Sequence, residues 1–171
     1  MIALAYKRLI QLGKVTGAVS FLFAAPYAFV QYVQAQEASR IEQTLNMFKM
    51  YNTAPFSGYR EKLTKALAKY KDKINDAAKD EAAFRALQFQ ILAQEDIETE
   101  LLLLFDFFDG VAICVSANVC DNDAAIKLFK PRAIDLYVNF YQYMVAQRGK
   151  STTRGFGIGL EGIAKSKLAK S

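Results

Sequence analysis

No histidine occurs among the 171 residues of the chain. Its absence removes the commonest general base, the commonest transition-metal ligand and the side chain that usually changes charge near neutral pH. Ser-His-Asp and Cys-His catalysis are therefore excluded within one chain. A di-metal carboxylate bundle, which takes a Glu-x-x-His pair from each of two helices, lacks its nitrogen ligands. Tryptophan is absent too, and 13 Phe and 9 Tyr carry the aromatic surface. Proline (3) and glycine (9) are scarce, with most glycines toward the two ends, which leaves the middle free to form long helices. The two cysteines, Cys114 and Cys120, show no CxxC or metal spacing. A continuous helix would hold their Cα atoms about 9 Å apart, beyond the roughly 4.4–6.8 Å of a disulfide. They are expected to be free, mostly buried thiols; a bond would need the helix to end between them.

What is present suits one globular domain plus an anchor: 53% hydrophobic and 23% charged residues, and a net charge of +5. The excess charge sits largely near the C-terminus, where Arg148, Lys150, Arg154, Lys165, Lys167 and Lys170 face the single acid Glu161. Residues 37–147 are close to neutral, so nucleic acid is not an expected partner.

Residues 15–36, VTGAVSFLFAAPYAFVQYVQAQ, carry no charge. As a helix this stretch would be about 33 Å long, enough for a hydrocarbon core of about 30 Å. It reads as an uncleaved transmembrane anchor. A cleaved signal peptide, with Val33-Gln34-Ala35 as a small-residue cleavage site, is one alternative, although the run exceeds the usual 7–15 apolar residues; a buried helix is the other. Gly13, Gly17 and Ser20 form a small-residue stripe, Pro26 could kink the helix, and Tyr27 and Tyr32 suit an interface. Lys7, Arg8 and Lys14 precede the span, so the positive-inside rule leans to a cytoplasmic N-terminus with the body outside.

The anchor runs on without a breaker, and Ala38, Ile41, Leu45 and Phe48 continue it as an apolar stripe to about residue 51. Asn52, Pro55 and Gly58 mark a loop. A helix follows to about residue 78, with Leu63, Leu67, Tyr70 and Ile74 on its buried side and Lys62, Lys65, Lys69, Lys71 and Lys73 on its other, solvated side. Asp80 and Glu81 mark a new start. Residues 97–119 are the densest core stretch, apolar all round from Leu101 to Phe105. Asp121 reads as a helix cap, residues 124–129 as a short helix, and Pro131 as the first turn of a last core helix ending near Arg148. After Gly149, Ser, Thr and Gly predominate, and the tail reads as flexible.

Chemistry is thin. Asp106 and Asp109 share a helix face and, with tyrosines, are the residues an enzyme or small-ligand binder would use. Without histidine they are expected to meet a Lys or Arg or reach solvent. Asp121-Asn122-Asp123 opens like a calcium loop, but Ile126 stands where that loop needs Gly and Arg132 where it needs Glu. Gly155-Phe156-Gly157-Ile158-Gly159 follows no strand, and Gly149-Lys150-Ser151 lacks the earlier glycine of a Walker loop. No catalytic, cofactor-binding or metal-ligating residue is assigned.

Two blocks carry a resemblance. One is residues 45–56, LNMFKMYNTAPF, with Arg60 and Leu63. The other is residues 104–112, LFDFFDGVA, then Cys120-Asp121, Leu128-Phe129, Pro131-Arg132 and the helix ending at Arg148. Over residues 38–148 they resemble a bacterial domain-of-unknown-function family of small, N-terminally membrane-anchored helical proteins. An N-x-P-F turn in that pattern precedes the second helix, and a helix of the type F-F-D-G-V-A leads to a short loop, an Asp and a helix ending in Arg. Cys120 stands where a small residue would be more usual. The resemblance implies a fold and a placement but no mechanism.

The expectation is an all-α chain: a basic flank (1–14), a transmembrane helix (15–36), a bundle of about five helices (37–148) and a flexible basic tail (149–171). Its expected role is a membrane-anchored scaffold or interaction module, with a lipid bilayer and a protein partner or second copy as partners. The alternative is a ligand-binding or histidine-free enzyme domain exported by a cleaved signal peptide.

Overall fold

The computed structural model describes the backbone of residues 2–149 and 155–166, and the side chains of residue 24, residues 26–149 and residues 155–166. Among the described residues the chain is all-α, with seven helices and no strand: α1 (Ile2–Asn52), α2 (Phe56–Lys69), α3 (Lys71–Ala77), α4 (Glu81–Glu95), α5 (Glu98–Ser116), α6 (Asn122–Arg148) and α7 (Ile158–Lys165). It divides into two compact units, Met1–Ser39 and Arg40–Ser171.

In the first unit, α1 continues through Pro26. Tyr27 and Phe29 are each 67% exposed, and Val30, Tyr32 and Val33 are exposed beside them. The side-chain amides of Gln31 and Gln36 donate to the hydroxyls of Tyr27 and Tyr32, one turn back. Among the described residues no helix is long and apolar enough to cross a membrane. Residues 15–23 and 25 of the span expected over 15–36 have their side chains outside the described residues, as does the whole Gly13, Gly17 and Ser20 stripe.

The second unit is the packed domain. The end of α1 buries Thr44 and Tyr51, whereas Ala38, Ile41 and Leu45 of the expected stripe are exposed. The helix is turned because its polar contacts decide the face. Thr44 accepts the Asp121 N–H at 2.9 Å, and the Arg40 guanidinium reaches the Asn118 side chain at 2.6 Å. Tyr51 then enters a ring cluster with Phe107, Phe108 and Phe129, its centroid distances 5.2, 5.5 and 6.2 Å. Such offset and edge-on pairs add about 0.5–1.5 kcal/mol each beyond area burial.

α5 is the axis of the domain, with Leu101, Leu104, Phe105, Phe108 and Val111 fully buried. It is not enclosed all round as its composition suggested, because Leu103 and Asp106 face solvent. The α2 stripe of Leu63, Leu67 and Tyr70 packs inward as expected, but a break at Tyr70 separates α3, which carries Ile74. Asp80 and Asp121 cap α4 and α6 as their sequence positions indicated; Asp80 accepts from the Ala82 and Ala83 N–H groups, and Asp121 from Ala124.

Three expectations are corrected. The cysteines are not free: α5 stops at Ser116, Cys120 folds back, and the Cα atoms of Cys114 and Cys120 come to 5.1 Å in a disulfide. Pro131 does not open a helix but lies inside α6, whose backbone stays helical there although an interior proline gives up a backbone bond and crowds the carbonyl four residues back; the packing of α6 against its neighbours offsets that cost. The tail is not flexible over residues 155–166, since α7 buries Leu160, Ile163 and Ala164 against α5 and α6. Its partner contacts are long-range and so leave no local sequence signal.

α6 bends where sequence showed nothing, at Phe140 (φ −130°, ψ 17°). The turn-to-turn bond from the Tyr143 N–H to the Asn139 carbonyl is replaced by the side-chain amide of Gln88 on α4. Its nitrogen donates to the Asn139 carbonyl at 2.6 Å and its oxygen accepts the Tyr143 N–H at 2.9 Å. A side chain inserted into the backbone ladder is a recognised cause of a sharp bend.

Candidate functional site

Asp106 and Asp109, the pair sequence reasoning put forward, part company in the fold. Asp106 is exposed, and its carboxyl titrates above the usual range because of partial burial and, second, the neighbouring Asp109 charge. Asp109 points at the start of α7. Its Oδ2 accepts the Gly157 N–H at 2.8 Å, and its Oδ1 accepts the Gly159 and Leu160 N–H groups at 2.6 and 3.3 Å. The first amides of a helix have no partner within it, and α7 has no side-chain cap of its own. Asp109 supplies that cap from α5 and completes its hydrogen bonding in doing so. Among the described residues neither acid forms an ion pair with a Lys or Arg.

The acids around the junction of α4 and α5 are also engaged between helices. Glu100 pairs with Lys62, Glu95 with Lys69, and Glu98 accepts from the Tyr143 hydroxyl at 2.7 Å. Arg148, at the end of α6, is tied to the tail: its guanidinium donates to the Phe156 carbonyl and to Glu161, each at 2.6 Å. Among the described residues no group of three or more acids and cysteines is placed to hold a metal ion.

A polar concavity lies elsewhere. A cleft of about 230 Å³ opens between the end of α1, α2, α5 and α6, within the packed domain. Leu63, Leu67, Leu104, Leu136 and Phe140 give it apolar walls, and Tyr51, Arg60, Arg132, Asp135 and Asn139 bring polar groups. The Arg60 guanidinium lies 4.4 Å from the Tyr51 ring centroid and that of Arg132 5.1 Å from Phe48. Burial raises the Tyr51 phenol above its ordinary pKa, while Arg60 and then Arg132 work against that rise. Arg60 and Arg132 stand far apart in sequence, one after the Pro55 turn and one after Pro131. No spacing rule joins them; only the packing of α2 and of α6 against α5 brings them to one cleft. A second depression, along α5, α6 and α7, is apolar and lined by no titratable residue.

Residues 15–164 match the family described as "Domain of unknown function (DUF4760)". No curated protein and no solved structure matches the chain.

Proposed function

The chain belongs to the DUF4760 family, and from that premise we propose that it is a membrane-anchored helical interaction module, held at a bilayer by the first part of α1. The observation that carries this reading is the run of exposed apolar residues on α1, Tyr27, Phe29, Val30, Tyr32 and Val33, in a stretch without charge from residue 15 to 36. Patches of that kind on a single element mark membrane or protein contact. The amides of Gln31 and Gln36 are paired with tyrosine hydroxyls, which lowers the penalty of bringing them to an apolar boundary.

The same reading puts the body outside the cytoplasm. A disulfide between Cys114 and Cys120 suits an oxidising compartment, in line with the basic residues before the span. The partner is another protein or a second copy of the chain, and the exposed apolar residues Ile134, Val138 and Val145 along α6 are the kind of surface such contacts use. An interaction role also fits the carboxylates, since Asp109, Glu95, Glu98 and Glu100 hold helices together.

Replacing Val30 and Val33 by Lys tests the anchor. The full-length variant should leave the membrane fraction with its far-ultraviolet circular dichroism intact. Unchanged membrane retention would contradict the reading.

A further inference from the structure

We infer that the cleft between α2 and α6 is a binding site for a small organic carboxylate with an apolar body. Two guanidinium groups reach it from different helices, Arg60 and Arg132. Neither has a carboxylate within ion-pairing distance among the described residues. Each instead lies against an aromatic ring; Arg132 also donates to the Leu128 carbonyl at 3.4 Å and Arg60 to the Tyr51 hydroxyl, and the remaining N–H groups of each can donate to a carboxylate.

The Nε of Arg60 is buried and has no acceptor. Buried donors in native proteins nearly always have one, and a turn of the Arg60 side chain toward a carboxylate in the cleft would supply it. Asp135 is the one acid lining the cleft, so two positive charges face one negative charge and the site keeps an excess of one positive charge. Apolar walls such as Leu104 and Phe140 would be wasted on a bare inorganic anion. The cleft's roughly 230 Å³ falls below the 300–1,000 Å³ or so of drug-sized ligand sites, which restricts the ligand to a small one. This site is separate from the anchor and does not depend on it.

The test is calorimetric titration of the full-length protein in neutral detergent with benzoate, its neutral isostere benzamide, and inorganic phosphate. Benzoate should bind saturably at one site, with benzamide and phosphate each at least about tenfold weaker. R132Q should weaken benzoate about tenfold or more. D135N changes an exposed residue and removes the competing carboxylate, so it should tighten benzoate about threefold; this arm stands even where an arginine variant does not fold. Equal binding of benzoate and benzamide, phosphate binding as tight as benzoate, no binding by any probe, or weaker binding by D135N would overturn the inference.

Discussion

The Asp109 carboxylate accepts the Gly159 N–H at 2.6 Å, and a Cβ on Gly159 would come 2.7 Å from the Asp109 Cα. Helix α7 is thus capped by α5 and packed against its backbone at a point where only glycine fits. G159A should destabilise the domain by about 1–3 kcal/mol, as overpacking does, and D109A by about 1–3 kcal/mol, through amides left without an acceptor. Amide exchange should rise across residues 155–166 in both variants. Protection unchanged from the parent in G159A would contradict the contact.

Gln88 should matter more than an ordinary glutamine. Q88L leaves the Asn139 carbonyl and the Tyr143 N–H unpaired at the α6 bend, at about 1–3 kcal/mol for each buried group. A urea midpoint equal to that of the parent would mean that α6 straightens and closes its own bond.

The Cys114–Cys120 bond closes a short loop between α5 and α6. Loop-closure entropy puts its contribution at about 2 kcal/mol. C114S/C120S should lower the urea midpoint accordingly, and reductant should lower the parent alone. A parent insensitive to reductant would show that the thiols are not paired.

Acid should weaken the domain through its bridging glutamates. Lys165 and then Arg148 hold the Glu161 carboxyl below the usual carboxylate range, and Lys69 and Lys62 do the same to Glu95 and Glu100. A carboxyl whose folded pKa is depressed contributes stability that is fully present above its unfolded value of about 4.3 and is lost as pH falls through the folded value. Asp106, raised in the fold, acts in the opposite sense and offsets part of the loss. Stability should hold from pH 7 to about 5 and fall below about pH 4.5, with a shallower fall in E161Q. An identical acid slope in E161Q would contradict the role given to Glu161.

The features legible in sequence were local ones. Asp80 and Asp121 announced helix starts by residue type and position, and Leu63, Leu67, Tyr70 and Ile74 announced a face by period. Thr44 and Tyr51 defeated the periodic reading of α1, because polar contacts to the loop at Asn118–Asp121 turned the helix away from its most apolar side. The α7 cap, the α6 bend and the Arg60–Arg132 cleft each join residues distant in sequence, and no single segment carries their signal. Two glycines of the Gly155 to Gly159 run have a physical cause of the same long-range kind, the close approach of Asp109 and Ala112 at Gly159 and a left-handed φ of 66° at Gly157.

The central claim is the anchor, and carbonate extraction of membranes carrying the unaltered full-length chain tests it most directly. The account predicts that the protein stays in the membrane pellet after the wash, at the full-length mass. Release of the full-length chain into the supernatant would contradict it.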